Sequence, residues 1–242
     1  MARHNYVAVY GVVCRLPLIE GEDENKTGFC FIKTVMSSRD IKEAGSGYQL
    51  NCPSLFIHSS EKEIVEMMST LQINDVIEVT GFIATMEIDK KCTCPVCGEV
   101  NYRRESCVRY GKTRSGGNRI YLYPIAIRVE NHYESEQEAF SFLRKNSEFA
   151  NHVFLLGNLT VNPVQSTLME GTRKYTRYQL AINRKYCPRD GNEVYTKTDY
   201  PWVYSYGDKS DEDFKRLSAG SMVYIDGALQ ARKYKEQYIC TN

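Results

Sequence analysis

The chain repeats itself, and that repeat limits the folds open to it more than any other feature. NYVAVYGVVCRLP, beginning at Asn5, lies in register with NHVFLLGNLTVNP, beginning at Asn151, so that Asn5, Val7, Gly11 and Pro17 fall on Asn151, Val153, Gly157 and Pro163. The same offset lays DVIEVTGFIAT (75–85) over SMVYIDGALQA (221–231), brings Gly81 onto Gly227, and leaves Pro53 near Pro201. Self-similarity at one fixed separation is the mark of a duplicated structural unit. A length of 242 residues with 42% hydrophobic content is enough to bury two ordinary cores. Two copies of one domain are therefore expected.

Each copy reads as β. The runs 153–159, 178–182, 200–206 and 222–229 are short, rich in β-branched and aromatic residues, and bounded by turn formers. Helical spacing is confined to short pieces. Residues 61–71 place Ile64, Val65, Met68 and Leu71 on one side, 211–217 form a shorter counterpart, and 134–148 carry Ala139, Phe140 and Leu143 on one side between the copies. Three strands, a short helix and further strand is the order of a five-stranded OB barrel, whose open face binds oligonucleotides or oligosaccharides. The expected fold is mainly β: two tandem OB-fold barrels, at 1–130 and 151–242, joined by a linker helix within 131–150. The second barrel is expected to lack a fifth strand after Tyr238. Residues 87–118 interrupt the first barrel between its fourth strand (76–85) and its fifth (120–129).

Four of the nine cysteines, Cys92, Cys94, Cys97 and Cys107, crowd that insertion. Cys94 and Cys97 form a C-x2-C-G knuckle in which two thiolates on a tight turn can share a tetrahedral zinc, with Gly98 permitting the turn. Cys107 is the candidate third ligand and Cys92 the fourth. Four thiolates leave no open position for a reacting water, so the zinc is expected to be structural, stapling a small ribbon. Arg103, Arg104, Arg109, Lys112, Arg114 and Arg119 make this ribbon basic. Cys14, Cys30, Cys52, Cys187 and Cys240 are scattered and read as small buried apolar residues. The repeat offset also sets Cys240 on Cys94, which predicts that the natural protein continues past Asn242 with a second knuckle and the missing strand.

The chemistry-bearing segment of the second copy is TKTDYPWVYSYGDKS. Strict alternation puts Tyr200, Trp202, Tyr204 and Tyr206 on one face and Val203 and Ser205 on the other. Bases of a single strand stack on such side chains for about 1–3 kcal/mol each, with little regard to base identity. The alternative is that this face is barrel core, but a run of tyrosines whose hydroxyls need partners is an unusual core strand. Around it lie Arg173, Lys174, Arg177, Arg184, Lys185 and Arg189 among Tyr175, Tyr178 and Tyr186, with Arg232, Lys233, Tyr234 and Lys235 further on. Cations interleaved with aromatics suit a phosphate backbone passing stacked bases. The matching strand of the first copy, NCPSLFIHSS, offers Cys52, Ser54, Phe56 and His58, a poorer stacking surface that leaves weak DNA binding, oligomerisation or bracing of the second copy open.

From Asn151 to Tyr234 the sequence resembles the bacterial single-stranded DNA-binding protein family. NHVFLLGNLTVNP resembles its first strand, YQLAINRKY its second, TDYPWVYSYG its third, and LSAGSMVYIDGALQARKY its helix end and fourth strand. The resemblance implies base-stacking roles for Tyr186, Tyr200, Tyr206 and Tyr234, with tyrosine standing for tryptophan at three of them. Trp202 and Tyr204 join them by strand alternation alone. The resemblance also implies single-stranded DNA as partner, assembly into a homo-oligomer, and work in replication or recombination. A plasmid, phage or other mobile element fits the divergent tandem form. The chain ends at Asn242 with no acidic, phenylalanine-ended tip, so docking of partner proteins through such a tail is not supported.

Other properties bound the function without selecting it. Net charge is +1 with a pI near 7.5, so any nucleic-acid site must be a local pattern. No apolar run approaches the roughly 20 residues of a membrane span and no signal peptide is evident, so a cytoplasmic protein is expected. No glycine-rich phosphate loop or His-Glu metal pair is present, which argues against an enzyme. An RNA-binding or translation-associated protein and a non-catalytic accessory subunit of a nucleic-acid enzyme are the alternatives.

Overall fold

The computed structural model describes residues 5–22, 25–35, 54–87, 91–93, 100–102, 118–167, 174–183 and 198–230. In the first half, period-two burial along β1 (Asn5–Val13) sends Val7 and Val9 inward, and β3 (Thr27–Lys33) and β4 (Ser54–Ser59) alternate in the same way. With β5 (Asp75–Glu87) and β8 (Asn118–His132) these strands form a closed five-stranded barrel in the order β1-β5-β8-β4-β3, shut by pairing of Val12 and Val13 with Lys33 and Ile32. A short β2 (Leu18–Glu20) lies outside β3. Val7, Val9, Cys30, Ile32, Ile57, Ile77, Val79 and Leu122 fill the interior. The expected helix at 61–71 forms as α1 (Lys62–Thr70), and it buries Val65 and Met68 against that core.

Gly81 is fixed by contact. A β-carbon on Gly81 would stand 2.0 Å from the Tyr123 carbonyl oxygen, because β5 and β8 shift register between Thr80 and Gly81.

Within the insertion, β6 (Lys91–Thr93) and β7 (Val100–Tyr102) form an antiparallel pair with Cys92 opposite Asn101. Cys94, Cys97 and Cys107 lie outside the described residues.

The helix between the halves is α2 (Glu136–Lys145), shorter at both ends than 134–148. Ser135 caps it by accepting from the Glu138 amide, and its basic residues Arg144 and Lys145 lie at the C-terminal end, where the helix dipole favours them. It packs Ala139, Phe140 and Leu143 against Val12, Val35 and Val76 in a second apolar cluster. After it, the Ala150 carbonyl accepts from the Tyr10 amide and the Thr34 hydroxyl, tying the chain to the first barrel before the second half begins.

The halves share one sheet. β9 (Asn151–Leu159) runs antiparallel to β1 with Val7 opposite Val153, Asn5 opposite Leu155 and Val9 opposite Asn151. Val7 and Val153 are the same position of the repeat, so the pairing is a local two-fold. The repeat is written into hydrogen bonds as well. Asn5 donates to the Ile83 carbonyl and accepts from its amide, while Asn151 does the same with Leu229, each clamp closing over 78 positions of chain. Val7 opposite Gly81 is matched by Val153 opposite Gly227 in β14 (Met222–Gly227).

The rest of the second half is organised around β11. β11 (Lys174–Asn183) pairs with β9, with β10 (Val164–Thr167), with β12 (Thr198–Asp199) and with β13 (Trp202–Tyr206). Tyr178, Leu180, Ile182, Leu155 and Leu159 are its buried core. Helix α3 (Asp208–Arg216) follows β13 and starts earlier than 211–217. The end of the chain, where a fifth strand was expected to be missing, lies outside the described residues.

Candidate nucleic-acid interface

β11 and β13 together build the aromatic face. Their ladder sets Tyr175 opposite Tyr206, Arg177 opposite Tyr204 and Gln179 opposite Trp202. The alternate residues Thr176, Tyr178, Leu180 and Ile182 point into the core and are buried, which leaves the first set on the outer side. Trp202 is 44% exposed, and Tyr204 and Tyr206 are half-buried, so the face is open to a ligand rather than sealed in a core. The Tyr175 ring lies 6.1 Å from Tyr204 and 6.4 Å from Tyr206, and the Arg177 guanidinium stands 5.6 Å from the Trp202 ring centroid. Arg177 Nε is buried and has no hydrogen-bond partner among the described residues.

Tyr200 belongs to this face by register, though it lies outside the ladder. Ile182 opposite Asp199 and Gln179 opposite Trp202 are in one continuous register, which sets Tyr200 across from Ala181. The strand expected at 200–206 breaks here because Pro201 has no amide to donate, although its carbonyl still accepts from the Leu180 amide. Tyr200 is 40% exposed, and its carbonyl accepts from the Gln179 side chain.

The back of the face is held firmly. Thr176 donates to the Ser210 carbonyl at 2.8 Å, and Gln165 donates to Asp211 at 2.8 Å, so α3 is fixed across β10 and β11. The Tyr178 hydroxyl donates to Asp213. Burial first, and then the Asp213 carboxylate, push the Tyr178 phenol well above its ordinary value. Asp199 is fully buried and accepts from both the amide and the hydroxyl of Thr85 at 2.7 and 3.0 Å, anchoring the start of the aromatic segment to β5 of the first half.

Two residues of the basic hairpin do not serve the face. Lys174 lies on the opposite side of β11 from Arg177 and is ion-paired with Asp211 at 3.3 Å. The Gln165 and Lys174 hydrogen bonds hold the Asp211 carboxyl below its usual value. Tyr178, which reads in the sequence like the other hairpin tyrosines, is core. Conversely, Gln179 lies on the face and was not singled out in the sequence, and Tyr175, read there only as one of the hairpin aromatics, lies on it too; counting in twos from Arg177 reaches both. Arg173, Arg184, Lys185, Tyr186, Arg232, Lys233 and Tyr234 lie outside the described residues.

Among the described residues no cluster of three or more His, Cys, Asp or Glu could hold a metal, and no helix is long and apolar enough to cross a membrane. Cys30 is buried, and desolvation first, then Cys14, push its thiol up to about 12, so it stays protonated at neutral pH. Cys14 donates its thiol to the Val12 carbonyl.

Residues 150–238 match the single-strand binding protein family. The single-stranded DNA-binding protein of Aquifex aeolicus is 32% identical over 87 residues, which is 36% of this chain and 58% of the relative. Single-stranded DNA-binding protein 1 of Staphylococcus aureus is 32% identical over 87 residues, 36% of this chain and 50% of the relative. The matched stretch thus spans 50% to 58% of the length of these curated relatives. The crystal structure of a deletion mutant of the single-stranded DNA binding protein from Thermus aquaticus superposes with a TM-score of 0.57 at 16% identity, covering 95% of this chain and 88% of that one. That likeness runs over both halves and concerns the fold.

Proposed function

We propose that this chain binds single-stranded DNA with little sequence preference, stacking bases on Trp202, Tyr204, Tyr206 and Tyr175 while Arg177 meets the phosphate backbone. The observation that carries this reading is the half-open aromatic face of β11 and β13, with a guanidinium over its tryptophan. Rings arranged two residues apart along a strand offer flat apolar surface to successive bases, and every base has a π-face, so affinity comes without base readout. The match of residues 150–238 to a family named for single-strand binding supports the same ligand. In this reading both halves are OB-fold barrels, and the protein protects or organises exposed strands during replication or recombination. Tyr186, Tyr200, Tyr234, Arg173, Arg184, Lys185, Arg232 and Lys233 would extend the path. A zinc held by Cys92, Cys94, Cys97 and Cys107 would staple the insertion and take no part in chemistry. The protein acts by binding and is not an enzyme.

Trp202 is the single tryptophan of the chain, so its fluorescence reports the site directly. Titration with oligo-dT should quench it, with affinity falling steeply as salt rises because bound phosphates release counterions. Tyr204→Ala should weaken binding by about 1–3 kcal/mol. Absence of quenching, together with a Tyr204→Ala, Tyr206→Ala pair that binds like wild type, would remove the assignment. Stronger competition by oligo-rU than by oligo-dT would move it to RNA.

A further inference from the structure

The aromatic segment of the second half is lightly held at its start. β12 is two residues long, Pro201 donates no amide, and Tyr200 lies outside the ladder, with its carbonyl accepting from the Gln179 side chain at 3.3 Å. A ring on such backbone surrenders conformational freedom when a base stacks on it, and that loss subtracts from affinity. Whatever fixes residue 199 therefore bears on how well Tyr200 can bind.

The fixing contact comes from the other half of the chain. Asp199 is fully buried, Thr85 is 6% exposed, and Asp199 Oδ1 accepts both the Thr85 amide at 2.7 Å and the Thr85 hydroxyl at 3.0 Å. Two donors converging on one carboxylate oxygen define its position better than either alone, and water is excluded from competing for it. Thr85 stands on a firm support, since β5 pairs with β8 on either side of it, Ala84 opposite Tyr121 and Met86 opposite Arg119. The repeat does not supply this pair a second time. Its offset carries Thr85 to Ala231 and Asp199 to Pro53, and neither side chain has a polar atom to offer. The pair therefore belongs to one side of the local two-fold, the side that serves the aromatic segment of the second half.

We propose that Thr85 is a positioning residue for the single-strand-binding face: buried itself, it acts through Asp199 to preset Tyr200 for stacking, so that the first half tunes the affinity of the second. This role rests on the reading of β11 and β13 as the binding face with Tyr200 on its path. Coupling between two contacts is reciprocal, so a base held on Tyr200 must in turn tighten the pair of Thr85 and Asp199.

The test uses the full chain and oligo-dT, followed by Trp202 fluorescence and by the anisotropy of a labelled oligonucleotide. Thr85→Val keeps the amide and the branched shape but loses the hydroxyl, and it should weaken binding about three- to tenfold. Thr85→Ser should restore wild-type affinity. In a Tyr200→Ala background Thr85→Val should cost nothing further, because the residue acts through that ring. Hydrogen exchange at the Thr85 amide, whose acceptor is Asp199, should slow on saturation with oligo-dT by more than exchange at the Ile83 amide, which Asn5 holds in the same barrel. A Thr85→Val protein that binds like wild type, or one whose loss is equal with and without Tyr200, overturns the positioning role and leaves the aromatic face intact. If Thr85→Val fails to fold, the exchange measurement on wild type decides, and equal slowing at both amides overturns the proposal. No binding by wild type removes the aromatic face and this role with it.

Discussion

Replacing Asn5 with alanine should destabilise the protein by about 2–4 kcal/mol. The side chain makes two hydrogen bonds of 2.9 Å to one residue, donating to the Ile83 carbonyl and accepting from the Ile83 amide, and it is 5% exposed. Truncation leaves a donor and an acceptor without this partner in a buried setting, and each group so stranded costs about 1–3 kcal/mol. The carbonyl, with a second lone pair, contributes the smaller share. Asn5→Asp should give no rescue, since it keeps the acceptor for the amide but turns a carboxylate toward the Ile83 carbonyl. The twin change, Asn151→Ala, breaks bonds of 3.0 and 2.9 Å to Leu229, which is only half-buried, so water can replace part of the loss and the cost falls to about 1–2 kcal/mol. Urea unfolding of the three variants gives the energies, and hydrogen exchange at the Ile83 and Leu229 amides shows which clamp has opened. An Asn5→Ala protein within about 0.5 kcal/mol of wild type, the range of an ordinary surface change, would refute the reasoning and reduce the shared clamp to a relic of duplication.

Other outcomes follow from single sites. Gly81→Ala should lower stability by about 1–3 kcal/mol or more in thermal unfolding, because the new carbon meets backbone at Tyr123 that no rotamer change can move. Burial holds the His58 imidazole below its ordinary value near 6.5, so between that pH and the lowered one the unfolded chain takes up a proton that the folded chain refuses. Stability should therefore fall as pH drops through that window and be unaffected by this group above it, and His58→Gln should flatten that part of a urea-midpoint profile. This chain of 242 residues should carry one zinc by elemental analysis, and Cys97→Ser should lose it. A full complement of metal in that variant would exclude Cys97 as a ligand.

The sequence alone determined the anchors that recur at one offset. Asn5 with Asn151 and Gly81 with Gly227 recur at one offset because each copy needs the same clamp and the same strand pairing. It also determined the helices, since Val65 and Met68 or Ala139, Phe140 and Leu143 recur at a spacing only a helix gathers on one side. Alternation separated Trp202, Tyr204 and Tyr206 from Val203 and Ser205. Period two divides a strand into faces but does not say which face meets solvent. Tertiary structure therefore decided that Tyr175 lies outside and Tyr178 inside, and that Lys174 turns away to Asp211 while Arg177 stands over Trp202. It also decided the contacts between strands distant in sequence: Val7 against Val153, Asp199 against Thr85, and the gathering of Phe29, Phe31, Phe56, His58 and Tyr121 from β3, β4 and β8. Local spacing is fixed by backbone geometry and can be read along one strand. A face assembled from several strands exists only once barrel closure has set their register.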